Sequence, residues 1–446
     1  MTSALSVRRY LSGPTALWVV LFVVAFGTNV PTPLLLVYRD TLGLSATALT
    51  GAFGLYAAGL VPMLLLAGPA SDRFGRRRLV VPATLLAALT SLLFLLAGSS
   101  VAALFAGRFL QGAVSGVVFS VGSAWLGELV GAPARAARLT TAALSAGWGL
   151  GPLTAGILGQ WFPAPTVLPY LVHVGMMGLA LLLLPGVPET LTPARRRRGG
   201  PLLNLGVPAS ARRPFALVVL PVAIGVFTFP STAVTVLPLL LIPALPGIAV
   251  AVTGLVAAVT LLTGVLAQSL HRRLPAGSSG AIGLATGAAG LGLSLVAVAL
   301  DAWPILVPVA VLLGAGYGLC LAAGLTMVAQ LAAPAERGAL TGTFYSCAYL
   351  GFGVPLLLSA IGGDAGLAAP LAGLTVVATA VAVLLALPPS RRLAVSADHP
   401  RSRIMSSGSC PVRYPDLGVG GVRSPGVEVV TKFDERGMRV VAAPDQ

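Results

Sequence analysis

Charge is what this sequence has least of. Only 9% of its 446 residues are Asp, Glu, Lys or Arg, while 56% are hydrophobic, and the mean hydropathy is +0.93. A soluble chain carries about a quarter charged residues. So few polar groups cannot cover a water-facing surface of this size, which excludes a set of soluble domains and leaves lipid as the solvent. Cysteine is nearly absent. Three residues allow no disulfide framework; Cys320 and Cys347 lie in apolar runs and read as small buried hydrophobes, and Cys410 falls in a polar tail. There is no Walker sequence, no metal-ligand cluster and no nucleophile–base pair at credible spacing. "GAGYGL" at 314–319 sits inside an apolar run with no preceding strand, so it reads as helix packing and not a phosphate loop. No cofactor, no metal and no enzymatic activity are therefore expected. Nor is a cleavable leader: the first apolar run is long and no small-residue cleavage site follows it.

What the chain does have is apolar runs long enough to span a bilayer, which takes about 20 residues. Twelve are predicted, at 15–37, 46–67, 79–99, 101–127, 138–161, 165–186, 215–241, 248–270, 279–300, 303–329, 338–361 and 366–388. Several contain proline (Pro31, Pro33, Pro62, Pro152, Pro238, Pro355), which spanning helices tolerate when neighbours satisfy the freed carbonyls. The fifth run is polar at its start and the eleventh is rich in Gly and Ser.

The scarce charge is distributed unevenly. Lys and Arg outnumber Asp and Glu 28 to 13, a net charge of +15. With a cytoplasmic N-terminus, 26 of the 28 basic residues fall in cytoplasmic segments, the exceptions being Arg39 and Arg108. That pattern predicts a multi-pass plasma (inner) membrane protein with both termini cytoplasmic. Scattered over short loops, it does not resemble a nucleic-acid surface, so no nucleic-acid partner is expected. The chain also repeats: "APARAARLT" (132–140) returns as "APAERGALT" (333–341), and "PLLLVY" from Pro33 as "PLLLIP" from Pro238. The predicted organisation is a cytoplasmic N-terminus (1–14), a six-helix bundle (15–186), a basic cytoplasmic linker (187–214), a second six-helix bundle (215–388), and a cytoplasmic, disordered tail (389–446). Within that tail "VEVVTKFDERGMRVV" has the pattern of a hairpin.

The densest charge lies in "GPASDRFGRRRLV" (68–80), five charged residues within seven positions between the second and third runs. Orientation needs only the arginines. Gly75 offers backbone freedom for a tight turn. Gly68, four residues before Asp72, would let a neighbouring helix approach closely. Arg76 can fork onto carboxylates, and Glu128 ends the fourth run on the same side, so Asp72, Arg76 and Glu128 are placed to form a charge chain.

This loop resembles the G-x-x-x-D-R-x-G-R-[KR] element of the major facilitator superfamily, through Gly68, Asp72, Arg73, Gly75, Arg76 and Arg77. With twelve runs, the resemblance covers all but the two ends of the chain. It implies an all-α integral membrane fold: twelve transmembrane helices in two pseudo-symmetric six-helix bundles around a central cavity. It also implies that the loop, with Glu128, acts as a conformational latch on the cytoplasmic side, Asp72 meeting the start of the eleventh helix near Glu336–Leu340. "GRFLQG" matches the family's R-x-x-Q-G element through Arg108, Gln111 and Gly112. Arg108 lies about 10 Å inside the fourth run at 1.5 Å per residue. It is either paired there, with Asp40 at a similar depth, or reaches out to the interface. "GWGLGPLTAG" (147–156) resembles the family's antiporter element in helix 5: Gly147, Gly151, Pro152 and Gly156 match, Ala155 replaces a glycine, and Arg138 stands where an earlier glycine belongs. The alternative is ordinary tight packing.

All thirteen carboxylates lie outside the runs or at their ends. A proton-coupled carrier would have to use His173, Asp40, Glu128 or water at Arg108; His173 is equally a packed polar residue. Asn29, beside Pro31 and Pro33, faces substrate or makes a packing hydrogen bond. A midplane without acid suits neutral or amphipathic substrates, or anionic ones attracted by Arg108, over strongly cationic ones. The expected function is secondary active transport by alternating access: proton-coupled efflux of a small apolar or amphipathic compound by a monomer in the lipid bilayer. Uptake or facilitated transport of a small neutral metabolite, and a non-transporting membrane sensor, are the alternatives.

Overall fold

The computed structural model describes residues 13–191, 207–208, 211–245, 247–275, 277–331, 337–387, 431–432 and 439–440. The "RRRR" of the linker, Glu336 of the predicted Asp72 contact near Glu336–Leu340, and most of the tail lie outside them. Two short strands, β1 (Thr431–Lys432) and β2 (Arg439–Val440), pair antiparallel with Thr431 opposite Val440.

The spans are α-helical, but many are interrupted. The first is α1 (Gly13–Asn29) and α2 (Pro31–Leu42), restarted at Pro31, which has no N–H to continue the ladder. The second and third are α3 (Ala46–Phe74) and α4 (Arg76–Phe94). The fourth is α5 (Val101–Val117) and α6 (Ser123–Val130), joined by a π-helical turn at Val118–Gly122. The fifth is α7 (Pro133–Trp161), continuous through Pro152, and the sixth α8 (Leu168–Leu183). The seventh to tenth follow as α9 (Leu220–Leu240), α10 (Ala249–Leu270), α11 (Ser279–Ala299) and α12 (Leu306–Leu331). The eleventh divides into α13 (Arg337–Tyr349) and α14 (Val354–Gly362) around a 3-10 turn, and α15 (Ala368–Ala386) is the twelfth. Among the described residues, 11 helical stretches are long and apolar enough to cross a membrane. The remaining span is α7: its length suffices, but its polar first turns (Arg135, Arg138, Thr140, Thr141) and the glycine-rich stretch that follows keep it short of that apolarity.

Within the first six spans, the second and fourth touch backbone to backbone. A Cβ on Gly112 would lie 1.9 Å from the Tyr56 carbonyl oxygen, and one on Gly116 2.6 Å from that of Leu60. The eighth and tenth spans repeat this contact: a Cβ on Gly314 would lie 2.3 Å from the Thr260 oxygen, and one on Gly318 1.9 Å from that of Gly264. Both glycine pairs are 202 residues apart and both carbonyl pairs 204. After the fourth span the offset falls to 201, as "APARAARLT" and "APAERGALT" show. The π-turn supplies the missing residue: an i→i+5 turn holds one more residue than an α-turn, and α12 has no such turn.

Candidate functional site

The loop at 68–80 is built as its residues require. Gly75 has φ of +105°, a conformation closed to most L-residues, and it separates α3 from α4. Arg76, only 8% exposed, forms the expected charge chain. Its Nη1 lies 2.8 Å from Asp72 Oδ1 and its Nη2 2.8 Å from Glu128 Oε1. Nε also donates to Glu128, at 3.2 Å, and Nη1 to Ser71 Oγ. Arg73 lies half-buried on the last turn of α3. Glu189, given no role in the sequence reading, completes the cluster: its carboxylate accepts the N–H groups of Arg76 (3.2 Å) and Arg77 (3.0 Å). Those are orphan donors at the start of α4, where a negative charge is also favoured by the helix dipole. Thr190 donates to Glu128, and Trp125 Nε1 donates to the Pro188 oxygen at 3.0 Å. The segment after α8 thus ties the third and fourth spans together. Gly68 corrects an expectation: a Cβ there would meet only Ser120 Oγ, at an ordinary 3.5 Å. No tight helix contact requires glycine at that position in this conformation.

Arg108 does not reach out to the interface. It is 1% exposed, and all three guanidinium nitrogens donate. Nε bonds the Ala52 oxygen (3.2 Å), Nη2 the Phe53 oxygen (3.2 Å), and Nη1 the Thr28 oxygen (3.1 Å) and Gln111 Oε1 (2.7 Å). Its charge lies over the rings of Phe53 and Tyr56, 5.4 and 5.0 Å from their centroids. The suggested partner Asp40 is not there: it is exposed on the last turn of α2, and the Arg108 charge is stabilised by carbonyl dipoles and π-faces instead. The Thr28 carbonyl lies at the broken end of α1, beside Pro31, and those of Ala52 and Phe53 lie within unbroken α3.

Gln111 and His173 converge on one backbone position. Gln111 Nε2 donates to the Gly27 oxygen at 2.7 Å, and His173 packs so closely that a Cβ on Gly27 would lie 2.3 Å from its Nε2. That nitrogen is 3.0 Å from the Val23 oxygen, which can only accept, so Nε2 carries a proton; Nδ1 is 2.6 Å from Ser91 Oγ. The ring stacks on Phe26 at 6.2 Å. Asn29 adjoins through Thr28, with Nδ2 to Thr28 Oγ1 at 3.4 Å. Arg108, Gln111, His173 and Asn29 therefore gather on residues 23–32, and Asp40 stands apart.

The helix-5 glycines face two ways. Cβ atoms on Gly147 and Gly151 would lie 2.5 and 2.1 Å from the Phe22 and Phe26 oxygens of α1, while Gly156 abuts Gly254 of α10, Cβ to Cα 3.0 Å. Further contacts join the first six spans to the last six towards the end away from the 68–80 loop. Thr50 Oγ1 meets Ser359 Oγ at 2.6 Å. Gln160 donates to the Gly247 oxygen (2.8 Å) and accepts from the N–H groups of Val250 and Ala251. Beside them Phe352 inserts its ring among Phe53 (5.1 Å), Tyr56 (6.0 Å), Phe227 (5.0 Å) and Tyr349 (5.5 Å). Two of these rings also face Arg108, so its environment and the seam share a wall. Among the described residues no group of three or more His, Cys, Asp or Glu converges to hold a metal.

A Major Facilitator Superfamily profile matches residues 17–354. The chloramphenicol resistance protein CraA of Acinetobacter baumannii is 34% identical over 127 residues, 28% of this chain and 30% of that protein. The multidrug resistance protein MdtL of Shewanella oneidensis is 32% identical over 148 residues, 32% of this chain and 36% of that protein. The chain thus aligns with about a third of the length of each. Among solved structures, a peptide transporter POT superposes with a TM-score of 0.70 at 17% identity, covering 86% of this chain and 95% of that one. The nucleoside transporter NupG does so with a TM-score of 0.66 at 12% identity, covering 87% and 99%.

Proposed function

This chain belongs to the major facilitator superfamily, and we propose that it exports small apolar or amphipathic compounds by alternating access, in exchange for protons. That it is a multi-pass membrane protein of a transporter family is the premise; direction, substrate and coupling are the proposal. The observation that carries it is the seam around Phe352. Rings from both sets of six spans meet beside a buried cation that has no carboxylate among its contacts. When the seam opens, those ring faces become a surface for flat, uncharged or weakly polar molecules. A strongly cationic substrate finds no acid there and meets Arg108.

In this reading the two sets of six spans are the moving bodies. The basic loops face the cytoplasm, the Phe352 seam closes the outer end, and the Asp72–Arg76–Glu128 cluster is held within one set, ready to engage the other when the outer end opens. Both resistance proteins align with this chain over only part of their length, and their names supply the first probe. Purified protein in liposomes, with a pH gradient imposed, is offered chloramphenicol and a panel of neutral aromatic compounds. Gradient-driven accumulation supports exchange. Flux that ignores the gradient removes the proton from the proposal, and flux only in the opposite sense replaces export by uptake. His173→Gln separates coupling from carriage: loss of gradient-driven flux with substrate counterflow retained places the proton at His173.

A further inference from the structure

The two sets of spans differ at one place where the repeat would have them match. In the first, the space between the end of the second span, the start of the third and the end of the fourth is filled by Arg76 with Ser71, Asp72 and Glu128. The offsets locate the equivalent place in the second set. Gly75 corresponds to Gly277, 202 residues on, and both turn with positive φ, +105° and +73°. Arg76 then corresponds to Ser278, and on the 201 offset Glu128 corresponds to Ala329. Neither the central arginine nor its carboxylate has a charged counterpart. In their place is a cavity of about 250 Å³ between the ends of α10 and α12 and the start of α11.

The lining of this cavity has a sign. Arg272 and His271 come from the end of the eighth span, Ser279 from the first turn of α11, and Thr326 and Gln330 from α12; none of its described lining residues is acidic. Thr326 donates to the Ala322 oxygen, so its own oxygen is left to accept from His271 Nε2 at 3.1 Å, which fixes the ring against α12. The Arg272 cation, the Gln330 amide, the Ser279 hydroxyl and the positive end of α11 all suit an anion. The place suits a lipid. The cavity lies where three spans end, and the helix leading to it carries Leu266 and Leu270, 72% and 44% exposed, on the two turns before His271. Acyl chains can lie along those leucines while the headgroup phosphate reaches Arg272.

We propose that this cavity binds the phosphate of an anionic phospholipid, which occupies in the second set of spans the position that Arg76 and its carboxylates occupy in the first. The test uses the full-length protein reconstituted in nanodiscs of phosphatidylglycerol and phosphatidylcholine, extracted, and examined for retained lipid by native mass spectrometry. Wild type is expected to retain phosphatidylglycerol selectively. Arg272→Gln should lose about tenfold more of it than Arg273→Gln, the ~1.4 kcal/mol difference expected of one charge-assisted bond. Arg273 is the control because it removes the same charge one residue away and is not part of the lining. Gln330→Met, which leaves the charge in place, provides a second reading of the same cavity and should also reduce retention. Equal retention in Arg272→Gln and Arg273→Gln, with Gln330→Met like wild type, would mean surface attraction only and would overturn the proposal. So would displacement of the lipid by millimolar inorganic phosphate, which would make the site one for the free anion.

Discussion

Replacing Arg108 by lysine keeps the charge and removes the fork. The guanidinium uses three nitrogens spread across one plane to reach the carbonyls of Ala52, Phe53 and Thr28 and the Gln111 amide, at 2.7–3.2 Å. These acceptors belong to three different spans, and a single ammonium cannot reach all of them. At least one and in most placements two of the four bonds are lost. A hydrogen bond to a charged group contributes about 1.5–3 kcal/mol, and a buried acceptor left unpaired adds desolvation cost. Arg108→Lys should therefore destabilise the protein by ~3 kcal/mol, read as a shift of the denaturation midpoint in detergent, and should depress substrate flux in liposomes. Gln111→Leu removes one of the same bonds and also frees the Gly27 oxygen. The double variant should cost less than the sum of the single ones, because both act on one network. A midpoint within ~0.5 kcal/mol of wild type together with unaltered flux would refute the argument, since the fork would then have no task that a point charge could not perform.

Glu189→Gln should weaken the cap on α4 by about 0.5–1 kcal/mol, and by less in high salt, because part of the effect is the carboxylate on the helix dipole; comparing midpoints at two ionic strengths checks it. Gly112→Ala and Gly318→Ala place a Cβ 1.9 Å from a backbone oxygen and should sharply reduce folded protein recovered. Gly175→Ala, where nothing lies within 4 Å, should not. Ser359→Val and Phe352→Ala loosen the seam and should raise labelling of a cysteine placed at residue 47; unchanged labelling would mean that the seam does not hold that end closed. Tags at 199–200 should be reached only from the cytoplasm and a tag at 301–302 only from outside, and an external central linker would overturn the proposed orientation.

Much of this was legible in the sequence because lipid imposes simple rules. Apolar length marked the spans, and the glycine at 75 announced a turn that only glycine makes easily. An acid, an arginine and a second acid at three loop ends announced their own pairing. Glu189 was not legible: nothing local distinguishes a carboxylate that caps a distant helix from one that faces water. Asp40 misled because depth along a helix says nothing about which way the side chain faces. Arg108 could not be assigned its true partners, since backbone carbonyls carry no sequence signal, whether at the break in α1 (Thr28) or within α3 (Ala52 and Phe53). The repeat was visible but its offset drifts from 205 at Pro33 to 201 after the fourth span; the π-turn in that span accounts for the last step, from 202 to 201.

At one point α7 and α10 meet backbone to backbone: Gly156 lies against Gly254, and a Cβ on Gly254 would lie 2.5 Å from the Pro152 oxygen, with side-chain contacts from Leu262 and Gln160 on either side. At that point no side chains interlock, so the two backbones can turn on one another like a bearing. The bearing is off-centre. From the middle of the 152–156 stretch, α7 runs about 10 Å to Trp161 and about 30 Å to Pro133, at 1.5 Å per residue. A stiff helix rocking on that point is a lever with arms near one to three. A separation of about 2 Å at the short end, enough to part the Gln160 amide from the Gly247 oxygen, sweeps the long end through about 6 Å, the distance of a full helical turn. A small opening on one side of the membrane is thereby geared to a large movement on the other.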